Sequence, residues 1–147
     1  MESLQTLLIF ATLGGTLSSR YGSVNADGSL GKKARLDLSV LKQSDVQVIR
    51  LRGRLTLGQA VDSFRQALET AFENGDNRVL VNLAEVPMVD SSGIGVLVRC
   101  HTTARQKGGN IKLVQPQPYT VKTLKMVGLL DLFEVYDSEE EAAASFS

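Results

Sequence analysis

From Arg35 onward the chain alternates between two hydrophobic periods, one of two residues and one of three to four. "RLDLSVLK" sets Leu36, Leu38 and Val40 on one face, the spacing of a half-buried strand. Ser44-Asp45 turns the chain into "VQVIRLRG", a second strand with Ile49 and Leu51 on one side and Arg50 and Arg52 on the other. Those arginines, continued by Arg54, fit a solvated sheet face or an anion site, and alternation favours the former. Leu57, Val61, Phe64, Leu68 and Phe72 then recur at helical steps, and Asn74-Gly75 supplies a helix stop. "RVLVNLAEV" is almost wholly apolar, as a central strand covered on both faces should be. A helix is expected from Ser91 to Lys107, stopped by Gly108-Gly109, and "NIKLV" is a fourth strand. Pro116 and Pro118 lead into a helix through Val121, Leu124 and Val127, closed by Gly128. "LFEVY" is a short fifth strand, and "SEEEAAASF" a last helix with Ser138 and Glu141 in a capping box. The order β-β-α-β-α-β-α-β-α predicts one α/β domain, a mixed central sheet with packed helices, over residues 34–147.

The first part of the chain reads differently. The apolar run Leu4–Leu17 contains Gln5, Thr6 and Thr12, too short and too polar for a membrane span. It also lacks the basic n-region of a signal peptide, since Glu2 is the only charge before it. With "GSVNADGSLGKK" behind it, residues 1–33 are expected to be a flexible extension.

Composition narrows the function. Sixteen Lys plus Arg balance 16 Asp plus Glu, which argues against a nucleic-acid binder needing a basic stripe. One cysteine, Cys100, and one histidine, His101, cannot build a structural zinc site or an internal disulfide, and a reducing, cytoplasmic setting is expected. No cofactor is expected.

The stretch that carries chemistry is "MVDSSGIGVLVRC". A serine nucleophile needs a base in reach, yet His101 lies roughly 15 Å along the same helix from Ser91. A nucleophile elbow would need glycine at position 89, which is Val89. Gly93-Ile94-Gly95 lacks the third glycine of a dinucleotide fingerprint, because that position is Val98. What survives is a helix N-terminus, where unpaired N–H groups favour negative charge. Ser91 is then the N-cap or its neighbour, or a functional serine whose phosphoryl group would meet a ready anion site. Asp90 could cap the helix or assist the hydroxyl. Val96 and Cys100 widen the apolar face of this helix, so it is either deeply buried or leaves a strip for a partner.

"VLVNLAEVPMVDSSGIGVLV", then "GGNIKLV" and "LKMVGLLDLFEVYDSEEEA", resemble the STAS-domain family of bacterial anti-sigma factor antagonists over roughly residues 35–147. The most specific part is D-S-S-G-x-G after an apolar strand. The resemblance implies a STAS-like fold and a binding module rather than an enzyme. It implies phosphorylation of the serine directly after the aspartate, Ser91 in preference to Ser92. The implied partners are an anti-sigma factor with serine-kinase activity, bound by the unmodified form only, and a serine/threonine phosphatase that resets the switch. The implied contact surface comprises Asp90, Ser91, Ser92, Gly93, Ile94, Gly95, Arg54 and Thr56. One departure stands out: where the family often reads G-x-L-D, this chain has Gly53-Arg54-Leu55-Thr56, without the carboxylate. Relatives that act as stressosome-like scaffolds or in lipid-transport complexes are the alternative within the family. A small phosphate- or nucleotide-handling enzyme is the alternative outside it.

Overall fold

The computed structural model describes residues 36–146. The expected extension over residues 1–33, with its Leu4–Leu17 run, lies outside them. Strands β1 (Asp37–Gln43) and β2 (Val46–Arg52) form an antiparallel hairpin, turned at Ser44 with φ 56°. β3 (Arg78–Glu85), β4 (Asn110–Val114) and β5 (Val135–Tyr136) add to β2 in parallel, so the sheet order follows the chain, β1-β2-β3-β4-β5.

Because every parallel crossover steps the same way, its right-handedness sends the connecting helices to one face of the sheet. These are α1 (Gln59–Glu73), α2 (Ser91–Gln106) and α3 (Pro118–Met126). Phe64 and Leu68 of α1, Ile94 and Leu97 of α2 and Leu124 of α3 close over Ile49, Leu51, Val79, Val81, Ile111 and Leu113 in the main core. The opposite face carries a smaller cluster of Val46, Val48, Leu80 and Val114, covered by Ala142 of the short α4 (Glu139–Ala144). β3 runs between the two and buries both of its faces, as its apolar composition requires. Ser138 caps α4 by accepting the Glu141 N–H at 3.0 Å.

Five expectations are corrected or resolved. Leu57 does not belong to the α1 stripe: the helix starts at Gln59 after Gly58 (φ 118°), and Leu57 is 79% exposed. Val40 and Val127 are also exposed, one on the edge strand β1 and the other at the C-cap of α3. "LFEVY" supplies only two strand residues, because Leu130–Leu132 tighten into a 3₁₀ turn that drives Phe133 into the core. The wide apolar face of α2 is buried, with Val96 and Cys100 inside the main core where α1 packs on α2. Of the arginines on the outer sheet face, Arg50 forms a two-bond fork with Glu139 at 2.8 Å, and Arg52 pairs with Glu85 and Asp37. The described residues contain no helix long and apolar enough to cross a membrane.

Candidate functional site at the N-terminus of the second helix

The loop from β2 to α1 runs beside the loop from β3 to α2 as a short extension of the sheet. Leu55 bridges Val89 in parallel register, its N–H donating to the Met88 carbonyl at 2.9 Å while its own carbonyl accepts from Asp90 N–H at 3.2 Å. Both Leu55 and Val89 point into the core, so Thr56 and Asp90, each the next residue along, turn toward the surface. The approach is close enough to require glycine at position 93. A Cβ there would lie 2.9 Å from the Leu55 carbonyl oxygen and 2.9 Å from Val89 Cγ1.

Asp90 joins the two loops to the helix. It is the N-cap of α2, and its Oδ1 accepts from Ser92 N–H at 3.0 Å, Gly93 N–H at 3.1 Å and the Ser92 hydroxyl at 2.5 Å. Its Oδ2 accepts from Leu57 N–H at 2.9 Å. Burial alone would raise its pKa. The hydrogen bonds from the Ser92 hydroxyl and from the backbone of Leu57, Gly93 and Ser92 outweigh that and hold the carboxyl below its ordinary value. Asp90 therefore resolves the question its position raised: it caps the helix, ionised, with both oxygens engaged.

The two serines separate on this geometry. Ser92 is half-buried and its hydroxyl is spent on Asp90. Ser91 occupies the first helical position, is exposed, and makes no side-chain hydrogen bond among the described residues. Gly93 and Ile94 are buried and support the surface from below, whereas Gly95 has open space beyond its Cα. Arg54 is exposed and Thr56 half-buried on the neighbouring loop. Leu57, which sequence reading assigned to the core, is the residue this site adds. A signal for it existed: Asp62, four positions into α1, cannot staple an apolar residue that precedes the N-cap.

The other reactive side chains are packed away. Burial, chiefly, pushes the Cys100 thiol up to about 11. His101 is buried with its ring edge-on to Phe133 at 5.1 Å, and burial, helped by Arg105, holds its pKa below the usual value. Among the described residues no group of three or more His, Cys, Asp or Glu is placed to hold a metal ion.

Comparison with known proteins agrees with this architecture. The chain is 27% identical over 108 residues to an anti-sigma F factor antagonist from Paenibacillus polymyxa, covering 73% of this chain and 92% of that protein. It superimposes on the unphosphorylated form of the anti-sigma factor antagonist SpoIIAA with a TM-score of 0.66 and 26% identity, over 74% of this chain and 94% of that one. The phosphorylated form of SpoIIAA, a Bacillus cell fate determinant, matches with a TM-score of 0.63 and 26% identity, over 75% of this chain and 99% of that one. The family model of the STAS domain matches residues 37–142, nearly all of the sheet and helices described above. The chain belongs to the STAS-domain family.

Proposed function

We propose that this protein is an anti-sigma factor antagonist whose binding surface is switched by phosphorylation of Ser91. The observation that carries the reading is the division of labour at α2. Asp90 and Ser92 are consumed by the cap, and the exposed Ser91 hydroxyl is left over beside them. A relative solved in both unphosphorylated and phosphorylated forms supports it.

The unmodified surface binds an anti-sigma factor that is also a serine kinase, which releases a sigma factor. In the transfer step the Ser91 hydroxyl oxygen attacks the terminal phosphorus of ATP held by that partner. The bond to the ADP oxygen breaks, and the hydroxyl proton passes to a base on the partner. Asp90 is poorly suited to be that base, because its pKa is depressed and its oxygens already accept four hydrogen bonds. The product carries a charge of roughly −1.5 to −2 next to an ionised aspartate. A docked partner would have to desolvate both, so the modified form does not bind. A serine/threonine phosphatase restores the binding form.

Incubation with ATP and magnesium, alone and with a co-encoded histidine-kinase-like ATPase, tests the reading. Mass spectrometry is expected to find phosphate on Ser91 and only in the presence of the ATPase. Phosphate confined to Ser92, or acquired by the chain alone, would refute it.

A further inference from the structure

Two features of the surface around Ser91 are not required by the fold. The first is Leu57. An apolar residue before a helix N-cap ordinarily packs against the fourth helical residue, but in α1 that residue is Asp62, itself exposed. Among the described residues Leu57 is instead the most exposed of the large apolar side chains, at 79%. It is also held in place: its N–H is bonded to Asp90 Oδ2 at 2.9 Å, Leu55 two residues before it bridges Val89, and Gly58 after it starts α1 by accepting the Asp62 N–H at 3.0 Å. The second feature is Gly95, one helical turn beyond Ser91 on the same face of α2. Its φ is not in the left-handed region, and a Cβ added there meets nothing within 4 Å. The helix tolerates a glycine in its interior, where alanine would be favoured.

One carboxylate fixes the relation of these features to the serine. Leu57 hangs from Asp90, and Ser91 is the next residue along the chain, one Cα step of about 3.8 Å away. A kinase that brings a phosphoryl donor to the Ser91 oxygen must cover the surface around it, which takes in Leu57, bonded through its N–H to the residue before Ser91, and Gly95, one turn further along α2.

We infer that Leu57 and Gly95 are the specificity contacts of this surface. The partner is the kinase-type anti-sigma factor of the proposed function, on which the inference rests. It receives Leu57 in an apolar pocket and lays its own surface flat against α2 at Gly95. The Leu57 side chain supplies apolar burial, the central anchor expected of an interface whose other groups are polar. The absent side chain at Gly95 lets the partner reach the serine.

Calorimetric titration of the histidine-kinase-like ATPase with the wild-type chain, Leu57→Ala, Gly95→Ala and Ser91→Asp tests this, with thermal melts on each free variant. Leu57→Ala is expected to weaken binding about tenfold or more, from the apolar area it no longer buries, with a melting temperature close to wild type. Gly95→Ala is expected to melt no lower than wild type and yet bind several-fold more weakly, a combination that a purely structural glycine would not give. Wild-type affinity in both variants, alongside weakened binding by Ser91→Asp, would overturn the inference and leave the phosphoswitch standing. No binding by the wild-type chain would overturn both.

Discussion

Replacing Asp90 with asparagine keeps an acceptor at the N-cap but removes the charge now shared by three N–H groups and one hydroxyl. Hydrogen bonds to an ionised acceptor are worth more than neutral ones, so Asp90→Asn is expected to lose about 1 kcal/mol of stability at neutral pH. The sign of the pH dependence follows from the lowered pKa in the folded state. The stabilisation is complete above the ordinary carboxylate value of 3.8 and is lost as the pH falls through the depressed one. Urea unfolding of the two chains should give curves separated at pH 7 that converge as the solution is acidified below pH 4. A constant gap down to pH 3 would mean the charge contributes nothing. At this scale the sequence was readable only in part. D-S-S-G announces a capped helix and puts Ser91 as the N-cap or its neighbour, with Asp90 as the alternative cap. The cap is set by Ser92 and Gly93 N–H on Oδ1, while the bond from Leu57 N–H to Oδ2, 33 residues earlier in the chain, is one that no local pattern reveals.

Gly58, at φ 118°, is where α1 is broken, later than its apolar spacing suggests. Leu57 continues the step of Val61, Phe64 and Leu68, yet its N–H is drawn to Asp90 and the helix starts behind Gly58. Strand and helix order was otherwise legible, because the periods of two and 3.6 residues do not resemble each other over ten residues. β5 was the exception: five strand-like residues yielded two, since Leu130–Leu132 close a 3₁₀ turn first. Two element contacts invite measurement. Gly93→Ala would force α2 away from the Leu55 carbonyl and is expected to cost about 1–3 kcal/mol, read from chemical denaturation. The second contact holds α4 to the sheet. Arg50 and Glu139 form two hydrogen bonds, and Asn82 adds a third to the same carboxylate at 2.7 Å. A double-mutant cycle on Arg50→Ala and Glu139→Ala should report a coupling of about 1 kcal/mol, at the upper end for a pair this near solvent. A coupling near zero would leave α4 held by Ala142, Phe146 and the Lys112–Ser145 bonds alone.

Across the described residues, the main core, the smaller cluster under α4 and the surface around Ser91 are built from Leu36 onward. From the linker-like composition of "GSVNADGSLGKK", a chain beginning at residue 34 is expected to melt within a few degrees of the full-length protein, as followed by circular dichroism. The domain does no chemistry of its own at Ser91 in this account. Under the proposed function it presents an exposed hydroxyl, and charge added there decides whether a partner stays. Ser91→Asp tests that claim without a kinase step, because an added carboxylate at a helix N-terminus is favourable for the free domain by about 0.3–1 kcal/mol and leaves it folded. The most direct measurement is calorimetric titration of the cognate ATPase with Ser91→Ala and Ser91→Asp. Ser91→Ala should bind close to wild type, and Ser91→Asp about tenfold to a hundredfold more weakly, from the cost of burying a charge beside Asp90. Equal affinities for the two variants would contradict the account and leave Ser91 an exposed first-turn residue of α2 outside the interface.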